Sequence, residues 1–242
     1  MINNFLSAGG RAYIKSRLHF FLMHHPPLET RCIQRAVTMG LNTVIDVGAN
    51  HGQFASRIRA VGWKGSILSF EPLKGPFKSL QLLAAKDPLH EVFNYGLGQE
   101  NSEPIMNVAS NHGASSSLLD FDPLLEKAFL IKANAREKVE IRRLDDVAKE
   151  LEIAPEQCLL KIDTQGFEQQ VLKGSGDILG QIQMLFLEVA LRPLYENEPL
   201  LLEMLSFLDA CGFEARDLEP SVFETPFHPH QCDILCLRKG ID

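Results

Sequence analysis

Val44-Ile45-Asp46-Val47-Gly48-Ala49-Asn50-His51-Gly52 is the stretch whose reading decides the fold. A short apolar strand runs into a turn punctuated by two glycines. Residues 53–61 then continue as a helix, with Phe54, Ile58 and Val61 on one face at i, i+4 and i+7. Strand, glycine turn and helix form the junction at which a parallel α/β sheet meets a ligand, because unsatisfied helix N–H groups lie beside a strand C-terminus. The stretch departs from the dinucleotide fingerprint G-x-G-x-x-G at two positions. Asn50 replaces the glycine that lets backbone approach a pyrophosphate, and the strand ends in Asp46, a negative charge where phosphates would sit. Both changes disfavour NAD or FAD. They suit a ligand with a cationic end and no phosphate, such as S-adenosylmethionine, whose carboxylate can use the helix N-terminus. By itself the turn is also what any tight strand–helix junction uses.

The surrounding chain adds to this. Residues 66–70 read as the second strand, ending in Ser69-Phe70-Glu71-Pro72, and Glu71 follows Gly48 by 23 positions. An acid near that spacing can accept both hydroxyls of a ribose. Residues 76–85 read as the second helix and 91–95 as the third strand. The segment Leu159-Leu160-Lys161-Ile162-Asp163-Thr164-Gln165-Gly166-Phe167-Glu168 repeats the pattern of a buried strand, an acid, a glycine and a helix. Strands are also expected at 184–189, 213–217 and 232–237, with a helix at 199–210 ended by Gly212. The last two strands, with no helix between them, suggest an antiparallel addition at one sheet edge. Alternating strands and helices predict a doubly wound α/β sheet, in which Asp46, Glu71, Asp163 and Glu188 would gather round one crevice. Acids that end apolar strands are costly to bury without partners, so their recurrence points to a site.

Two parts depart from this regularity. Residues 1–40 read as a helical lead-in to a single domain over 41–242. An irregular insertion spans about 98–143, with short strands at 104–108 and 138–143, the second having one wet face. Between them the polar loop Asn111-His112-Gly113-Ala114-Ser115-Ser116-Ser117 could contact substrate hydroxyls.

Composition limits the partners. Among 242 residues, 24 Lys and Arg against 31 Asp and Glu give a formal charge of −7. This disfavours a nucleic-acid grip, which depends on Lys and Arg. No segment reaches the roughly 20 apolar residues of a membrane span, and the N-terminal apolar island 19–23 is too short for a signal peptide. The five cysteines are odd in number and scattered, as free thiols in a reducing, cytoplasmic compartment would be. His228-Pro229-His230 ahead of Cys232 reads as a loop entering the last strand, not as a metal site.

Taken together, VIDVGANHGQF (44–54), FEP (70–72), NYGLG (94–98), LKIDTQGFEQQVLKG (160–174) and FLEV (186–189) resemble the FkbM-type S-adenosylmethionine-dependent methyltransferases, in the family's order and over about residues 42–237. The resemblance implies a class I methyltransferase (Rossmann-like) sheet of about seven strands with an antiparallel last strand. It implies transfer of a methyl group to a hydroxyl of a sugar, glycan or related small metabolite. Carried over, it would put Asp46, Gly48, Ala49, Asn50 and Gly52 at the methionine end of the cofactor and Glu71 on the ribose. Tyr95 and Gly96 would lie near the adenine or its ribose, and Asp163 beside the methyl donor. Many relatives carry Glu where this chain has Gln165, so a second acid's role does not transfer there.

For an alcohol acceptor the protein must align two groups and take a proton. Asp163 is the expected base, with His51 a weaker candidate in the cofactor turn. Asp163, Glu188 and Glu168 could supply oxygen ligands to a divalent ion, though nothing in their spacing requires a metal. Two rivals stand beside this reading: a non-catalytic scaffold retaining the fold, and a nicotinamide-dependent oxidoreductase. The acceptor and the oligomeric state are not legible in the sequence.

Overall fold

The computed structural model describes residues 26–220 and 229–241. The lead-in before residue 26 and His228 of the His-Pro-His loop lie outside the described residues. Within the lead-in's described part, helix α1 spans Leu28–Thr38 and buries Leu28, Cys32, Ile33 and Ala36.

The chain then runs β1 (Thr43–Val47), α2 (Gln53–Ala60), β2 (Ser66–Phe70), α3 (Lys74–Ala84) and β3 (His90–Phe93). The insertion contributes β4 (Gly96–Leu97), β5 (Ile105–Ala109), α4 (Pro123–Phe129), β6 (Ala133–Lys138) and β7 (Ile141–Arg142). After it come α5 (Leu144–Glu150), β8 (Cys158–Ile162), α6 (Glu168–Gly174), β9 (Met184–Ala190), α7 (Leu201–Ala210), β10 (Phe213–Pro220) and β11 (Gln231–Arg238).

Seven strands form the main sheet in the order β10-β11-β9-β8-β1-β2-β3. Strands β1, β2, β3, β8 and β9 are parallel, and β11 runs antiparallel to both β9 and β10. This is the class I methyltransferase sheet that the sequence implies. The antiparallel pair is added at the β9 edge, with the last strand between β9 and β10 and β10 outermost. Burial explains the order. Strand β11 carries Ile234, Leu235, Cys236 and Leu237, all buried, and needs cover on both faces, whereas β10 alternates with exposed positions and tolerates an edge.

Strand alternation sorts side chains to two faces. Val44, Ile67, Leu159, Met184, Phe186 and Leu235 pack under α1 and α2 with Ile33, Phe54, Ile58 and Trp63. Ile45, Val47, Phe70, Leu160, Ile162 and Leu187 face α5, α6 and α7 through Leu144, Val147, Val171, Leu172, Met204 and Leu208. In the insertion, the strand expected over 138–143 is divided. Residues up to Lys138 pair with β5, and Ile141 and Arg142 switch to β4. Val139 and Ile141 are buried while Lys138 and Glu140 are exposed, which gives the expected wet face.

Candidate active site

On the face shared with α1 and α2, the strands change character toward their C-terminal ends. Asp46 stands in register with Ser69 on β2 and with Lys161 on β8, and Glu188 on β9 is paired with Asp233 on β11. A polar row therefore crosses the sheet where the apolar core stops. Asp46 is fully buried. It faces Lys161 Nζ at 2.9 Å and accepts a hydrogen bond from Ser69 Oγ at 3.2 Å. Ser69 Oγ in turn lies 2.9 Å from His90 Nε2.

The glycine turn sits above this row. Gly48 has φ +75°, and a Cβ there would lie 1.9 Å from the backbone carbonyl oxygen of Asp163, so only glycine lets the β1 and β8 ends meet this closely. Asn50 (φ 48°) and Gln165 (φ 55°) occupy the left-handed region at the two strand–helix turns. Such residues persist only where neighbours over-determine them. At the first turn the neighbour is Glu71, whose carboxylate accepts from Asn50 N and from Leu73 N, each at 2.8 Å. At the second, Ser117 Oγ donates to Gln165 O at 2.7 Å. Glu168 Oε1 accepts from Thr164 N at 2.8 Å and Gly166 N at 3.2 Å, so the acid considered as a metal ligand knots this turn.

A cavity opens at these strand ends, with about 620 Å³ of space when its open mouth is included. Its wall is mostly apolar, with Val47, Leu73, Leu97, Met106, Ile141 and Phe167 among the lining residues. Polar groups come from Asn50, Glu71, Asp163, Gln165 and Ser116, and the insertion loop closes over it through Gly113 and Ala114. The wall fits an adenosyl ligand with an amino-acid end. Asn50 Oδ1 is buried without a hydrogen-bond partner, an acceptor left for a ligand donor. Each Glu71 oxygen takes one backbone N–H, which leaves lone pairs for two hydroxyls.

Of the residues expected at the site, Gly48, Asn50, Glu71, Gly96 and Asp163 line the cavity. Asp46 lies beneath the turn on the α1–α2 face, and Ala49 and Gly52 are buried behind the wall. The Tyr95 ring packs on Phe70 and Phe93 under the Arg142 guanidinium. His51 Nε2 lies 3.2 Å from the His112 carbonyl oxygen, against the insertion loop and off the cavity wall. Glu188 is half-buried beside Asp163, not on the wall.

Tertiary structure adds groups that sequence reasoning missed. Gln165 Nε2 lies 2.8 Å from both Asp163 Oδ1 and Glu188 Oε2, and Gln231 Nε2 donates to the same Glu188 oxygen at 2.8 Å. Tyr195 OH donates to Gln165 Oε1 at 2.7 Å, which sets the amide so that its N–H groups face the acids. Nothing in the sequence flags Tyr195, which comes from an irregular segment 30 residues away. Lys161 did leave a signal: it is the one charged residue in the fully buried strand Cys158–Ile162.

Burial pushes the Glu71 carboxyl up to about 7, against the pull of its two backbone donors. Burial likewise pushes Glu168 and Asp233 up to about 7, and Glu188 well above the carboxylate range, helped by Asp163. An acid with a raised folded pKa keeps its proton in the folded protein after the unfolded chain has released it. Its contribution to stability is therefore full below the unfolded value and lost as pH rises through the folded one. Burial lowers the pKa of His90, which acts in the opposite direction over part of that interval, but it is one group against several. Between about pH 5 and pH 7.5 the cofactor-free protein should lose several degrees of Tm, and Glu71→Gln should flatten part of that slope. Differential scanning calorimetry across this range checks it, and a Tm that rises instead contradicts the assignment.

Among the described residues, no group of three or more His, Cys, Asp or Glu is arranged to hold a metal ion, and no helix is long and apolar enough to cross a membrane.

Comparison with known proteins agrees with the geometry. The profile of the methyltransferase FkbM domain matches residues 46–215. "Methyltransferase 1" of Beauveria bassiana is 24% identical over 176 residues, covering 67% of this chain and 70% of that protein. "AMB antimetabolite synthetase AmbE" of Pseudomonas aeruginosa is 29% identical over 178 residues, 60% of this chain but only 8% of that much longer protein. Among solved structures, magnesium protoporphyrin IX methyltransferase of Synechocystis PCC 6803 with bound S-adenosylmethionine superposes with a TM-score of 0.47 at 10% identity. That match covers 87% of this chain and 77% of the other.

Proposed function

The chain belongs to the methyltransferase FkbM domain family, and from that premise we propose that it uses S-adenosylmethionine to methylate a hydroxyl of a sugar, glycan or related small metabolite. The observation that carries this reading is the joining of two devices at one cavity. Glu71 and the glycine turn form a nucleoside-binding wall, and Asp163 is held on the same wall by an oriented amide.

Bound S-adenosylmethionine supplies an activated methyl group on a sulfonium, so the chain's residues need only hold, align and deprotonate. Gly48 and Asn50 hold the amino-acid end, Glu71 accepts the ribose hydroxyls, and Leu97, Ile141 and Phe167 offer apolar surface to the base. Asp163 accepts the proton of the acceptor hydroxyl. Gln165 steers that carboxylate by donating to it, and Tyr195 holds Gln165 in the donating orientation. Such a base contributes about 10²–10⁴-fold and alignment about 7–11 kcal/mol. The insertion loop, with Ser116 on the wall, offers a hydroxyl to an acceptor.

The test is a methylation assay with donor-labelled S-adenosylmethionine against cell glycans and small-metabolite fractions, with and without chelator. Label in one of those fractions that resists base, unlike a methyl ester, and is released as methyl iodide by hydriodic acid, as from a methyl ether, is the expected result. Cofactor binding without transfer to any fraction favours a scaffold role. Label that enters nucleic acid overturns the acceptor class, and loss of transfer on chelation brings a metal into the mechanism.

A further inference from the structure

Lys161 is not part of the cavity wall, and the mechanism above does not use it. Its side chain is nonetheless the only cation among the described residues of the polar row, and it is 6% exposed. It lies 2.9 Å from Asp46 Oδ1 and 3.7 Å from Asp163 Oδ2. It donates to the carbonyl oxygen of Gly48 at 3.1 Å, and that of Val47 lies 3.5 Å away. Its fifth neighbour is the Phe54 ring of α2, with the centroid 5.4 Å away. One nitrogen therefore touches the strand that enters the cofactor turn, the turn itself, the helix that leaves it and the acid that ends the lysine's own strand.

A buried ion pair contributes little net stability over a well-packed apolar pair, so stability alone is a weak account of this lysine. An ammonium does what an apolar side chain cannot. It draws the Val47 and Gly48 carbonyls down into the sheet, and it offsets the charge of Asp163 from behind the wall. We propose that Lys161 is a positioning residue for cofactor binding, seated on Asp46, that sets the Gly48–Asn50 turn and balances the charge of Asp163 at the cavity. The inference rests on the S-adenosylmethionine reading above.

The test compares the full chain with Lys161→Met/Asp46→Asn. The double variant removes both buried charges, leaves neither unpaired, and keeps a hydrogen-bonding partner for Ser69. Calorimetric titration is run with S-adenosylmethionine and with S-adenosylhomocysteine, which lacks the sulfonium charge, and Tm is recorded for both proteins. The expected result is a Tm within a few degrees of wild type and both affinities weakened about tenfold or more, as when a charge-assisted hydrogen bond is lost. The preference for S-adenosylmethionine should also rise about threefold or more, because Asp163 has lost its balancing cation. A merely structural lysine would lower Tm and leave the ratio of the two affinities unchanged, so an unchanged ratio overturns the proposal. Wild-type protein that binds neither compound overturns the cofactor reading itself, and this inference with it.

Discussion

Gly48→Ala is expected to weaken S-adenosylmethionine binding severely and to destabilise the protein more than any other single methyl addition to the glycine turn. The added Cβ would sit 1.9 Å from the Asp163 carbonyl oxygen and 2.9 Å from its carbonyl carbon, both backbone atoms that no rotamer change can move. Relief requires the β1 and β8 ends to part, yet they are joined by the hydrogen bond from Asp163 N to Val47 O at 3.1 Å. The residue also has φ +75°, where a side chain costs roughly 1–2 kcal/mol before any clash. Overpacking adds about 1–3 kcal/mol, so a loss of ~2–5 kcal/mol and a rise in Kd of about a hundredfold or more are expected. Gly62→Ala is the control: its φ is +104° but nothing lies within 4 Å of the added Cβ, so it bears the conformational cost alone. Calorimetric titration and urea unfolding of both variants test the comparison. Equal behaviour of the two would show that the close approach of the strand ends is not what the turn needs.

The second large effect is expected at Asp163. Replacing it by Asn keeps the size of the side chain and an oxygen for Gln165, and removes only the ability to take a proton. Turnover should fall about 10²–10⁴-fold, with the Kd for S-adenosylmethionine changed by no more than a few-fold, so the loss falls on kcat. Asp163→Ala should lose at least as much, since Gln165 would then donate only to Glu188. Glu188 cannot readily substitute: with the Asp163 charge removed, burial, the largest influence on it, still pushes its carboxyl toward the protonated form. The measurement is initial-rate transfer of labelled methyl to the accepting fraction, paired with cofactor titration. Near-native turnover with normal cofactor binding would falsify the base assignment.

The two residues differ in how they became legible. Gly48 stood out because a strand–helix turn with a left-handed backbone favours glycine, although its close approach to Asp163 exists only once β1 and β8 are paired. Asp163 stood out because an acid ending a fully buried, largely apolar strand needs a reason. Its orienting partner, however, is an amide two residues on, turned back by a left-handed backbone and held by a tyrosine from a distant loop.

Asp46 shows the limit most clearly. The family resemblance implied a place for it at the methionine end of the cofactor. The strand's own alternation sends Val47 to the cavity wall and Asp46 to the opposite face, beside Lys161. That alternation was already present in Val44-Ile45-Asp46-Val47, but which face held the ligand was not.

The sequence by itself determined the order of strands and helices, the edge at which their acids collect, the turn that needs glycine and the family to which these belong. Each of those follows from local periodicity, backbone freedom and the cost of ending an apolar strand in charge. Only the tertiary structure decided where β11 inserts, which acids face the cavity and which stay behind it, and how Lys161, Gln165 and Tyr195 are recruited. The physical reason is range. Periodicity and turn chemistry act over a few residues, whereas a hydrogen bond between Tyr195 and Gln165, or a lysine shared by two strands, depends on segments that meet only once the sheet is assembled.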